Sequence, residues 1–182
     1  GAFANVPRTA PSAEVDSINW STLPLCPYSI NRAAIGLVGD YIYIFGGQGT
    51  GGASTALAFN ITTEQWETST PPTITGSNWN AVSTDSAIYL MPKSFGGGEI
   101  QKFVPDPTGP GGTWSLAAIH PSSAYAFACD WDGGNYIYCA GVSYPTGADF
   151  YRLDLRDYTW DTLPDMPAPR GWVGGAFLQG KF

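Results

Sequence analysis

The chain has 182 residues, a length that fits one domain, and carries a formal net charge of −7 with only 13% charged residues. That balance argues against a nucleic-acid or anionic-membrane surface, both of which need clustered Lys and Arg. No apolar run of about 18 residues is present to span a membrane. The 23 Gly and 15 Pro are interleaved with apolar segments that bring hydrophobic content to 43%, so the chain is no disordered tract.

Its organisation is periodic. Trp20, Trp66, Trp114 and Trp160 recur 46, 48 and 46 residues apart, a spacing that signals a repeat architecture. In chain order, residues 1–24 supply two strands and end on the first of these tryptophans. Residues 32–38 then alternate, turn at Gly39-Asp40, and continue as the β-branched and aromatic strand 41–45, closed by Gly46-Gly47. A glycine-rich loop leads to a strand at 56–59, a turn beginning at Asn60, and a last strand around Trp66. These are four short strands, a to d, within residues 32–70.

The second copy, 79–118, repeats the order. Strands fall at 80–84, 87–91, 99–104 and around Trp114, with a loop at 92–98. The third, 124–163, has strands at 125–129, 136–141 and 150–154 and closes at Trp160. Residues 170–182 offer one further first strand, at 174–178, and the start of a second. No stretch has the 3.6-residue period of a long helix.

The run Tyr-Ile-Tyr-Ile-Phe-Gly46-Gly47, followed by Phe59-x6-Trp66, resembles the kelch repeat, in which an apolar strand, a glycine doublet, an aromatic and a tryptophan mark one propeller blade. The other copies depart from it. Cys139-Ala140-Gly141 keeps one glycine, Leu153 replaces the aromatic, and Phe95-Gly-Gly-Gly98 stands in for the doublet. The resemblance implies an all-β, kelch-type β-propeller of four-stranded antiparallel blades, three complete and two complementary halves. Gly46, Gly47, Trp20, Trp66, Trp114 and Trp160 then serve the blades themselves: a sheet cannot bury both faces alone, and large rings fill the space between stacked sheets. The two half-blades imply an excerpt of a longer propeller, with a closed four-bladed ring or pairing between chains as alternatives.

Antiparallel order places the a–b and c–d turns at one end of the blades and the longer b–c and d–a connections at the other. In or beside these connections lie Tyr28, Trp79, Phe95, Tyr125, Tyr144 and Trp172. Such rings either roof the core or form a weakly charged aromatic surface for a protein or glycan partner. Cys129 and Cys139 flank a hairpin turn at 132–134 and face each other across two strands, as a disulfide or as two buried thiols; Cys26 is left over on either reading. Two glycosylation sequons, at Asn19 and Asn60, fall at c–d turns, away from the long connections. They favour a secreted protein over a cytoplasmic one.

No catalytic, metal or cofactor residue is assigned. His120 is the single histidine, beside Pro121, too few for the His and Tyr ligands of kelch-type copper oxidases. Asp130, Asp132, Asp154, Asp157 and Asp161 fall mostly at turns, where Asp is a turn former. The expected function is a non-enzymatic binding or assembly module. Alternatives are part of a secreted carbohydrate-active enzyme whose catalytic residues lie elsewhere, and a structural protein polymerising through open blade edges.

Overall fold

The computed structural model describes residues 20–91, 98–122, 128–143, 146–171 and 174–182. Within them every regular element is a strand. The first blade comprises β2 (Ala34–Val38), β3 (Tyr41–Phe45), β5 (Ala56–Asn60) and β6 (Gln65–Thr68), paired in that order. The segment before it contributes β1 (Ile30–Asn31), which pairs with β4 (Gln48–Gly49) from the b–c connection. The second blade is β7 (Ala81–Ser83), β8 (Ile88–Leu90), β9 (Glu99–Pro105) and β10 (Gly112–Ile119). The third is β11 (Ala128–Trp131), β12 (Tyr136–Ser143), β13 (Thr146–Asp154) and β14 (Trp160–Leu163). All neighbours are antiparallel, so the all-β, four-stranded blade architecture expected from the period is the one observed.

Alternation decides which face meets which neighbour. In the first blade the rows Ala34–Phe45–Ala56 and Gly36–Tyr43–Ala58 run across the strands. They pack with Ile88, Leu90 and Phe103 of the second blade into one core. Phe45, Phe103 and Trp114 meet with ring centroids 4.8–5.0 Å apart, largely edge to face. The opposite face carries the rows Ile35–Ile44–Leu57 and Leu37–Ile42–Phe59–Trp66, and here Ile35 and Leu37 are exposed. A second core joins Val82, Tyr89 and Ile100 to Cys129, Ile137, Cys139 and Leu153 of the third blade. Burial of such rows is the main stabilising term, at about 25 cal/mol per Å² of apolar surface.

The marker tryptophans also bind backbone. Trp66 Nε1 donates to Pro24 O at 3.0 Å, and Trp114 Nε1 donates to Thr70 O at 2.9 Å. Each acceptor lies four residues after the preceding marker. Trp160 lacks this bond, and its buried Nε1 has no hydrogen-bond partner among the described residues. The corresponding position, Ala118, belongs to the β9–β10 ladder, because β10 runs on past a register shift between Leu116 and Ala118.

Three expectations need correction. The b–c connection of the third blade is no long loop at 142–148: Val142 pairs with Gly147 and Ser143 with Thr146, so β12 and β13 continue into a tight hairpin. Residues 174–178 do not form a first strand. Instead, Phe177 N–H donates to Asp130 Oδ2 at 2.7 Å, Leu178 bridges Lys181, and the rings of Phe177 and Phe182 stack on Tyr138. That short hairpin lays aromatic surface on the outer side of the third blade. Trp20 is 89% exposed, so it fills no space between blades. Residues 1–19, including Asn19, lie outside the described residues.

Candidate functional site

The loop end is a layer held by backbone hydrogen bonds. The β1–β4 pair ties the approach to the first blade onto that blade's own b–c connection. Thr50 N–H donates to Ser29 O at 3.0 Å, and Ser29 N–H to Thr50 Oγ1 at 3.0 Å. The linker to the second blade is fastened in turn: Gly47 N–H donates to Gly76 O, Gly76 N–H to Ala53 O and Asn78 N–H to Arg32 O. In the third blade Met166 N–H donates to Ala148 O and Arg170 N–H to Gly147 O. Long connections usually move more than the strands they join. Among the described residues, these bonds tie the connections around the first blade, and those at 147–170, to their neighbours, so that part of the surface is pre-organised.

Of the six aromatics singled out from sequence, Phe95, Tyr125, Tyr144 and Trp172 lie outside the described residues. The other two part company. Tyr28 is 43% exposed, and its ring rests within 3.1–3.2 Å of where a Cβ on Gly51 would stand, so the absent side chain is its seat. Trp79 is 7% exposed and packs with Phe45 and Phe103 in the first core, beneath the surface. It roofs the core and presents nothing outward. The linker turns it inward because Gly46, with no Cβ, leaves room for its indole: a Cβ there would meet Trp79 Nε1 at 3.0 Å.

Tyr28 borders a hollow of about 260 Å³ with Cys26, Ile30 and Ile35. A wider hollow of about 500 Å³ opens at the loop end of the third blade, over Ala140 and Phe150, between Met166, Pro167 and Phe182, with Arg170 on its wall. The sequence reading missed these linker residues, although the proline-rich run at 164–169 marks a fixed, extended connection.

His120 follows β10 in the connection to the third blade, yet it is buried, at 3% exposure. Its ring stands edge-on to Trp160 at 4.7 Å and to Tyr151 at 5.2 Å. Ser122 offers both an N–H, 3.1 Å from Nδ1, and a carbonyl, 3.0 Å from it. The neutral ring accepts from the first; the charged ring donates to the second. Burial outweighs that carbonyl and lowers the pKa to about 4. In the unfolded chain the ordinary value is about 6.5, so the unfolded state binds the proton first as pH falls. The stabilisation is complete above about pH 6.5, falls as pH drops from there, and is gone by about pH 4. It amounts to about 3 kcal/mol at most. Urea midpoints at pH 7.5 and 4.5 should differ by that order in the native protein and by much less in His120→Gln. Equal pH slopes for both would refute the assignment.

Cys129 and Cys139 are register partners, with Cα atoms 4.2 Å apart, and their sulfurs are bonded; Cys26 is free and exposed. Among the described residues no group of three or more His, Cys, Asp or Glu side chains is placed to hold a metal ion.

No family model matches the chain. Over 64 residues, 34% of its length, it is 38% identical to the Kelch-like protein terF of Aspergillus terreus. The matched stretch is similar to a kelch-like protein, in keeping with the four-stranded antiparallel blades. The match reaches 14% of the Aspergillus protein, so the likeness concerns repeat units, not that protein as a whole.

Proposed function

We propose that this chain is a non-enzymatic interaction module whose loop end docks a protein partner. The observation that carries the reading is the hydrogen-bonded loop layer with Tyr28 seated on it, three residues from the exposed Leu25. Rigid aromatics on pre-organised backbone lose little conformational entropy on binding. With few charges at hand, contact there depends on apolar burial more than on ion pairs. A glycan is the other ligand class such a ring serves. The bonded Cys129–Cys139 pair and the sequons at Asn19 and Asn60 support an extracellular setting, since disulfides persist in oxidising compartments.

One observation favours a second reading, assembly. The outer face of the first blade exposes Ile35 and Leu37 on continuous apolar rows. The outer face of the third carries the Arg152–Asp161 pair at 2.6 Å.

The test is a photo-cross-linking side chain placed at position 28 and, as control, at position 108 on the turn end. A partner of one defined mass captured from 28 and not from 108, equally at 0.1 and about 0.5 M salt, is the expected result. Capture from both positions, from neither, or only at low salt overturns the loop-end reading. A cross-link between two copies of this chain favours assembly instead.

A further inference from the structure

At the end of the blades opposite the loop layer, β5 finishes on Asn60. Its Oδ1 accepts from Thr62 N–H at 2.9 Å and from Thr63 N–H at 3.0 Å, which shapes the turn into β6. The third blade has the same device in the same place. β13 finishes on Asp154, the register partner of Tyr136 as Asn60 is of Tyr41, and Asp154 Oδ1 accepts from Arg156 N–H at 2.9 Å. A carboxylate oxygen therefore serves this turn as an amide oxygen does. What Asn60 adds is Nδ2. That nitrogen makes no hydrogen bond among the described residues and is not buried. The turn does not use it.

The neighbouring residues fit one chemistry. Asn60-Ile61-Thr62 is an acceptor sequence for N-linked glycosylation. Ile61 is 46% exposed, and Thr62 and Thr63 are exposed beside it. The motif by itself marks only a candidate; the open amide nitrogen on a projecting turn is a separate, structural fact. The bonded Cys129–Cys139 pair is in keeping with export through an oxidising compartment, the route on which this modification is made. There is also room. A hollow of about 610 Å³ lies between the first and second blades, lined by Asn60 and Tyr41 on one side and by Val104 and Pro107 on the other. Directly opposed residues on paired strands stand about 4.5–5.5 Å apart at Cβ, so a sugar on Asn60 Nδ2 is within reach of the Tyr41 ring. Tyr41 O–H donates to Glu67 Oε1 at 3.3 Å, which holds that ring in place.

We propose that Asn60 carries an N-linked glycan whose first N-acetylglucosamine rests in this hollow against Tyr41. Nδ2 bonds to C1 of the sugar, and C1 parts from the oxygen of a lipid-linked diphosphate donor. That oxygen leaves with the bonding pair, and one Nδ2 hydrogen leaves as a proton. The glycan stands at the far end of the blades from Tyr28 and leaves the loop end open. The inference does not rest on the docking reading.

The test secretes the full chain from a eukaryotic host in an Asn19→Gln background, so that Asn60 alone reports. Intact mass should show one glycan, released by a peptide N-glycosidase. Thr62→Ala removes the sequon hydroxyl, and Asn60→Asp keeps the turn oxygen, as at Asp154; both should be secreted, folded and bare. Placement is read separately. The secreted protein is trimmed by an endoglycosidase to a single N-acetylglucosamine and compared with the same chain made in a host that adds no N-linked glycan, the Cys129–Cys139 bond being formed in both. The trimmed form should melt about 2–4 °C higher. Three results overturn the proposal: folded, secreted protein without a glycan; a glycan that persists in either variant; or equal melting temperatures with and without the single sugar.

Discussion

Trp114→Ala should lower the unfolding free energy by about 3–5 kcal/mol, read as a shift in denaturant midpoint at unchanged slope. The indole lies against Phe45 and Phe103 at 4.8 and 4.9 Å, at the seam between the first two blades. Its removal opens a cavity between two sheets that cannot close without sliding past each other. It also strands Thr70 O, which accepts the indole N–H. Trp66→Ala is the matched control. Trp66 touches Phe59 at 5.0 Å, but it lies on the outward face of the first blade and belongs to neither core. Its loss should cost less, about 1–2 kcal/mol. Equal losses for the two would mean that the seam is no better packed than the outer face.

Gly46→Ala should cost about 3 kcal/mol or more. Two penalties combine. The backbone has φ +66°, where an L side chain costs about 1–2 kcal/mol. The new methyl would also collide with Gly76 O, the carbonyl that accepts Gly47 N–H at 2.8 Å. That carbonyl is backbone and cannot rotate aside, so the linker over the core must shift. Gly39→Ala separates the terms. Its φ is +57°, but a Cβ there meets nothing within 4 Å, so only the backbone penalty of about 1–2 kcal/mol applies. Thermal melts of both variants decide the point: a loss at Gly46 no larger than at Gly39 would show that the linker yields freely.

Much of this architecture is written in the alternation of short segments. The two-residue period puts Tyr43 and Phe45 on one face of β3 and Ile42 and Ile44 on the other, and the tryptophan spacing marks off the sheets; which face is inward is known only from the packing. Position within a connection was less legible. Trp79 and Tyr28 both sit in linkers rich in turn formers, and nothing local separates them. One is buried because Gly46, 33 residues earlier, leaves room for it; the other is exposed because Gly51 forms its seat. His120 looked incidental beside a proline, yet a neighbouring sheet covers it. The hairpin of β12 and β13 escaped notice because Gly147 and Pro145 suggest a loop as readily as a tight turn.

The indole-to-carbonyl bonds act as a ruler. Each spans from one marker tryptophan to the fourth residue beyond the previous one, so the bonded distance pins that part of the repeat to a fixed length. Growth of the chain has to be absorbed elsewhere. The 48-residue interval shows where: Trp114 pairs with Phe103, eleven residues earlier, whereas Trp66 pairs with Phe59, seven earlier. The c–d hairpin of the second blade is longer for it, and its b–c connection is shorter, since Phe103 follows its partner Ile88 by 15 residues where Phe59 follows Ile42 by 17. A unit built this way can lengthen or recolour its rim, as at 106–111, while the pitch of the stack stays constant.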